Sequence, residues 1–271
     1  MSQATDAQRA LATRLAGVLA ADARVDSAWL AGSFGRGEGD AWSDIDVIAV
    51  VDAEDRAACL AEYAGARNPV GETVVLLTLY GRIVHAVQPD WERYDIHFVT
   101  PEEFRVVDKL RLKPLAAEHL DGPPPVELTW GAYRPTSDDV ARMASEFLRI
   151  QGLAPTAVER GEWLAGQEGI GLLRKLLIEL MIETNGISTA QRGGAKRLNP
   201  YLTSKQRAAV ESIPLPGPNR ESFIAANQAL ARLFMPLAKE TLARAGAAWP
   251  QALEDATRQH LTRVFGAPPW D

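Results

Sequence analysis

The chain has a single cysteine, Cys59, among 271 residues. An intrachain disulfide is therefore excluded, and stability must come from an apolar core, as expected in a reducing cytoplasm. Of the 4 histidines, His85, His119 and His260 have no Cys or His companion at ligand spacing, which argues against a zinc centre. No apolar run reaches the ~20 residues a bilayer span requires, and Asp6 and Arg9 interrupt any apolar N-terminal stretch that would read as a signal peptide. Positive charge is also in deficit: 29 Lys and Arg face 35 Asp and Glu, for a net charge of −6. That balance argues against nucleic acid as partner and suits a small, cationic molecule. The glycine-rich Gly35-Arg-Gly-Glu-Gly39 is not Gly-x-Gly-x-x-Gly, and no Gly-Lys-Ser/Thr is present. Neither a dinucleotide site nor a P-loop is supported.

What is present concentrates in Leu30 to Val51. An apolar strand leads into Gly32-Ser33, a polar glycine-rich segment follows, and a second strand opens with Asp44 and Asp46. Side chains alternate along a strand, so Asp44 and Asp46 share one face while Ile45 and Val47 take the other. Carboxylates two residues apart, roughly 6.6 Å between Cα atoms, can straddle two cations held roughly 3.5–4 Å apart. Such hard cations neutralise the charge that develops in phosphoryl and nucleotidyl transfer. Glycine at position 32 lets the backbone approach an anion, and Ser33 offers a hydroxyl and an N–H to phosphate oxygens. Arg36 adds a charge-assisted donor. The plainer alternative is a hairpin with two solvated aspartates, but the apolar run Val47 to Val51 reads as a buried strand, and charges at its head need partners.

A transfer site of this kind needs a further carboxylate from a neighbouring strand, as metal ligand or general base. Thr73–Leu79 and Arg82–Val87 read as strands joined at Tyr80-Gly81, and Arg93–Val99 as a third. On that third strand Asp95 and His97 share a face. Asp90 and Glu92, just before it, are the fallback carboxylates.

The segment resembles the nucleotidyltransferase superfamily related to DNA polymerase β, in which Gly-Ser is followed some ten residues later by Asp-x-Asp/Glu and apolar residues. Gly32, Ser33, Asp44 and Asp46 match position by position. Within it, the run Gly32-Ser-Phe-x-x-Gly-Glu-Gly-Asp-x-x-Ser43-Asp-Ile45 is similar to antibiotic nucleotidyltransferases of the lincosamide type, with the aminoglycoside enzymes beside them. The likeness covers roughly the first hundred residues. It implies Mg2+, two ions, held by Asp44, Asp46 and Asp95, and ATP or another NTP cradled by Gly32, Ser33, Arg36 and Ser43. It also implies that Asp95 is the base that activates a hydroxyl of a small-molecule acceptor such as an antibiotic. His97 has three readings: orienting Asp95, touching the triphosphate, or being simply hydrogen-bonded in place on a half-buried strand.

The fold expected is α+β: a nucleotidyltransferase domain over residues 1–120, with a mixed sheet flanked by helices, and an all-α domain over residues 126–271. Thr5 to Ala20 reads as an amphipathic helix opened by a Thr5–Gln8 capping box, and Pro101 opens a short helix. Asp121-Gly-Pro-Pro-Pro125 reads as the linker. Beyond it, Ser137 is the expected N-cap of a helix with Val140, Met143, Phe147 and Leu148 on one face. Ile170–Met181 carries a leucine stripe ended by Gly186, and Phe223 to Leu237 another, with a kink expected at Pro236. In the resembled enzymes the helical part closes over the nucleotide and helps bind the acceptor, which makes Arg174, Lys175 and the basic run Gln191–Leu198, with Lys196 and Arg197, candidates for triphosphate contact, a solvated surface being the plainer reading of both groups. Two other readings share the chemistry or the fold: an AMP-transferase acting on a partner protein, and a nucleotide-binding module without turnover.

Overall fold

In the computed structural model, Thr5 and Gln8 cap the first helix reciprocally. Thr5 Oγ1 accepts from the Gln8 N–H at 3.0 Å and Gln8 Oε1 accepts from the Thr5 N–H at 2.8 Å. That helix, α1 (Asp6–Ala21), buries Leu11, Leu15 and Leu19 on one face. The structure describes residues 4–122, 130–131, 133–187, 198–266 and 270, and the chain divides into two compact units, Met1–Glu127 and Leu128–Asp271.

The first unit is α+β. After α1 come β1 (Val25–Leu30), a one-turn helix α2 (Gly32–Gly35), β2 (Ile45–Val51) and α3 (Arg56–Tyr63). Then follow β3 (Val75–Leu79), β4 (Ile83–Val87), β5 (Arg93–Val99), α4 (Pro101–Arg105) and the short β6 (Lys113–Pro114). The sheet runs β3-β4-β5-β2-β1-β6. Its β2–β5 pair is parallel and its other pairs are antiparallel. At the β3–β4 hairpin Tyr80 and Gly81 both have positive φ (52° and 65°), which is what a tight type I′ connection requires.

The two faces of the sheet are covered unequally, and this positions the site. Ile45, Val47, Ala49, Val51, Tyr94, Ile96 and Phe98 point into a core with α1 and with Cys59 and Tyr63 of α3. The opposite face holds a smaller cluster, Ile48, Val50 and Val99, packed by Trp29, Phe104, Val107 and Leu112. Alternation puts Asp46, Asp95 and His97 on this second face, where they are only partly buried. Strand β2 starts at Ile45, one residue later than the sequence pattern suggests: Asp44 ends the preceding loop, which Gln8 ties down.

The described part of the second unit is helical. It comprises α5 (Ser137–Arg160), α6 (Trp163–Thr184), α7 (Ser204–Glu211), α8 (Arg220–Arg244) and α9 (Gln251–Phe265). Their core includes Phe147 stacked on Phe234, with ring centroids 3.9 Å apart. Thr136 rather than Ser137 is the N-cap of α5, its hydroxyl accepting from the Asp139 N–H. Gly186 (φ 83°) follows the C-cap of α6, and α8 continues as helix through Pro236. Of the expected linker, residues 123–125 lie outside the described residues, as do residues 191–197 of the basic run, Lys196 and Arg197 among them. Among the described residues, no helix is long and apolar enough to cross a membrane.

Candidate active site

Parallel pairing of β2 and β5 places Asp46 opposite Asp95. Asp44 precedes β2 by one residue and joins them: each of Asp44, Asp46 and Asp95 offers a carboxylate oxygen within 4.8 Å of the others. Asp44 is buried and the other two are partly so. Among the described residues this is the group with the spacing of a metal site, and Asp90 and Glu92 stand outside it. Like charges at this separation repel unless a cation lies between them, and carboxylate oxygens are the ligands that Mg2+ takes. Asp90 instead accepts from the Glu92 N–H at 3.2 Å. Burial, and then the Asp90 charge, push the Glu92 pKa up.

The backbone around Gly32 closes against this group. Gly32 has φ 54°, and a β-carbon built there would lie 1.6 Å from Asp46 Oδ2. Only glycine combines that conformation with that approach. The Ala31 N–H donates to the Asp46 carbonyl at 2.8 Å, which locks the Gly-Ser segment to the strand head. Ser33 follows directly, and its Oγ is buried without a hydrogen-bond partner among the described residues. An orphaned hydroxyl of this kind, one residue on from the Gly32–Asp46 contact, fits a bound phosphate oxygen. Gly39 abuts the Phe34 ring and Gly35 the Leu30 and Arg111 carbonyls, so these two glycines serve packing.

Arg36 and Ser43 have local partners. Arg36 Nε pairs with Glu38 Oε2 at 2.9 Å. Ser43 Oγ donates to Asp40 Oδ1 at 3.0 Å and accepts from the Asp40 N–H at 3.1 Å. The buried Gln8 side chain reaches the same loop, its Nε2 donating to the carbonyls of Asp40 (3.0 Å) and Ser43 (2.8 Å). Ser43 thus shapes the approach to Asp44, and Gln8 fixes it.

His97 shares a face with Asp95, but the histidine bonded to Asp95 is His85: its Nδ1 lies 2.6 Å from Asp95 Oδ1. His85 stands directly across the β4–β5 ladder from Asp95. Sequence reasoning missed it because it was weighed only as a ligand needing Cys or His companions. An antiparallel pairing centred on the Gln88–Trp91 turn would have brought it opposite Asp95. His97 Nε2 is buried without a hydrogen-bond partner among the described residues. Burial lowers the His97 pKa, and Arg82 and Arg56 add to the effect. Arg174 and Lys175 lie on α6, where Lys175 faces Glu179 one turn on at 3.9 Å.

A family comparison covers the span that holds this site. Residues 13–113 match the family model of the nucleotidyltransferase domain, a span that holds every residue of the carboxylate group. Among solved structures, the chain is similar to an aminoglycoside 6-adenyltransferase from Bacillus subtilis, with 15% identity and a TM-score of 0.40 over 96% of this chain and 99% of that one. No curated protein matches the sequence. The N-terminal unit thus carries a nucleotidyltransferase domain over residues 13–113.

Proposed function

We propose that the protein moves a nucleoside monophosphate from ATP, or another NTP, to a hydroxyl of a small, preferably cationic, molecule, with lincosamide and aminoglycoside antibiotics as the acceptor class. The convergence of Asp44, Asp46 and Asp95 carries this reading. These three carboxylates would hold Mg2+, and the ions would supply charge neutralisation at the phosphates and at the oxygen leaving with pyrophosphate. Asp95, on the open face of the sheet, takes the proton of the acceptor hydroxyl as it attacks the α-phosphorus. Gly32 and Ser33 bind the triphosphate through backbone N–H groups at the start of α2 and through the unpartnered Ser33 hydroxyl. Arg36, held by Glu38, presents its remaining guanidinium nitrogens to the same phosphates.

The net charge of −6 supports a cationic acceptor over nucleic acid. The run shared with the lincosamide-type enzymes, Gly32 to Ile45, supports an antibiotic. The buried free Cys59 suits the cytoplasm, where such an enzyme meets ATP.

The test is incubation of the protein with a panel of antibiotics, all four NTPs and Mg2+, read by mass spectrometry and pyrophosphate release. A nucleoside monophosphate adduct on an acceptor, formed only with divalent metal, is expected. A labelled protein band in lysate given labelled ATP, with no small-molecule adduct, would replace the acceptor by a protein. Absence of metal-dependent pyrophosphate release with every acceptor would leave a binding module.

A further inference from the structure

Asp95 has two carboxylate oxygens, and one of them is already committed. His85 Nδ1 lies 2.6 Å from Oδ1. An ionised carboxylate only accepts hydrogen bonds, so the bond makes Nδ1 the protonated ring nitrogen. Both side chains keep about a quarter of their surface exposed, 28% for His85 and 27% for Asp95. The contact therefore satisfies no buried group and fills no core. Among the described residues no other donor reaches the Asp95 carboxylate. Its orientation about the last side-chain torsion, which is broad and roughly two-fold for aspartate, is set by this one bond.

We propose that His85 is a positioning residue of the cation site: it holds Asp95 Oδ1 and so fixes the direction in which the carboxylate meets the metal and the acceptor. This rests on the metal-dependent reading above. The arrangement follows from register. His85 and Asp95 are directly opposed on β4 and β5, as Asp46 and Asp95 are on β2 and β5. Asp95 is thus gripped from one neighbouring strand and faces its fellow ligand on the other. Without the imidazole, the carboxylate turns freely, and ordering it falls to the incoming cation, which weakens binding. Groups that orient metal ligands in this way are typically worth roughly 10–100-fold in metal affinity or activity.

The experiment is calorimetric titration of Mn2+ alone into the wild type and into His85→Phe, His85→Asn and Asp46→Asn, with melting midpoints and steady-state turnover measured alongside. His85→Phe keeps a ring on the strand but removes the donor. His85→Asn places an amide N–H close to where Nδ1 stood. Expected are Mn2+ binding weakened roughly 10–100-fold in His85→Phe, recovery of most of that affinity in His85→Asn, and a fall in kcat with the acceptor KM held. Mn2+ binding by His85→Phe equal to wild type would overturn the proposal, as would His85→Asn binding as weakly as His85→Phe while melting like wild type. If His85→Phe does not fold, the Asn variant decides: it must bind Mn2+ nearly as wild type does. Failure of the underlying reading looks different, with no Mn2+ binding by the wild type or none lost in Asp46→Asn.

Discussion

Gly32 and Asp46 are in contact so close that the glycine cannot be replaced: a β-carbon at position 32 would sit 1.6 Å from Asp46 Oδ2, and the backbone there has φ 54°. Gly32→Ala must therefore move either the carboxylate or the turn. The left-handed conformation alone costs an alanine about 1–2 kcal/mol. Displacing a catalytic group by about 1 Å costs on the order of 10²-fold in rate. The expected result is a folded protein, with a lower melting midpoint, whose nucleotidyl transfer falls by about that factor or more. Near-wild-type turnover in Gly32→Ala would show that Asp46 is not held in its working position by the Gly-Ser turn.

Asp44 and Asp46 differ in burial but should be equally indispensable. Asp44→Asn and Asp46→Asn each keep the size of the side chain and remove the charge a divalent ion requires, so pyrophosphate release should drop by several orders of magnitude while the far-ultraviolet circular dichroism stays unchanged. Chelation of the wild type should have the same effect and be reversed by added Mg2+. Turnover that survives chelation would remove the metal-dependent mechanism.

How much of this was legible follows from how far apart the residues are in sequence. Gly32, Ser33, Asp44 and Asp46 lie within one short stretch, so spacing alone brings them together, although Asp44 precedes the strand that carries Asp46. Asp95 comes from a strand some fifty residues on, and it was reached through family resemblance rather than periodicity. The bond between His85 and Asp95 depends on the register of the β4–β5 hairpin, for which the Gln88–Trp91 turn is the only local signal. The same is true of Gln8: its capping box is readable, but its reach to the Asp40–Ser43 loop is a tertiary fact. Helix α5 runs beyond the expected stripe, through Gly152 and Pro155, because Ala154, Pro155 and Val158 are buried and packing outweighs intrinsic propensity there.

The tie between Gln8 and that loop makes a separable prediction. Gln8 is 1% exposed, and its truncation leaves two loop carbonyls and a helix-cap N–H without their partner. Gln8→Ala should cost roughly 2–4 kcal/mol in denaturant unfolding, and transfer should fall further than stability explains because the approach to Asp44 loosens. Gln8→Glu distinguishes the two contributions. Its carboxylate still accepts from the Thr5 N–H but has no N–H for the carbonyls of Asp40 and Ser43. The glutamate variant should retain the helix cap and still lose activity. Full activity in Gln8→Glu would show that the tether is not needed.

Asp22, the C-cap of α1, predicts how the fold responds to acid. Arg24 grips it with Nε on Oδ1 at 2.8 Å and a terminal nitrogen on Oδ2 at 2.7 Å, and the buried Tyr63 hydroxyl donates to Oδ2 at 3.3 Å. The Arg24 hydrogen bonds hold the Asp22 carboxyl below its ordinary pKa of 3.8, against the opposing effect of burial. A carboxyl whose folded-state pKa is depressed binds its proton more readily when unfolded. Its contribution is therefore complete above the unfolded value and is lost as pH falls through the folded one. At pH 7, Asp22→Asn should destabilise the protein by roughly 1.5–3 kcal/mol, the usual range for charge-assisted hydrogen bonds. Below about pH 4, where the unfolded carboxyl takes up its proton, the gap between wild type and variant should narrow progressively. Unfolding midpoints measured from pH 7 down to pH 3 check this, and a gap that stays constant or widens on acidification would show that the Asp22 carboxyl is not stabilised in the folded state.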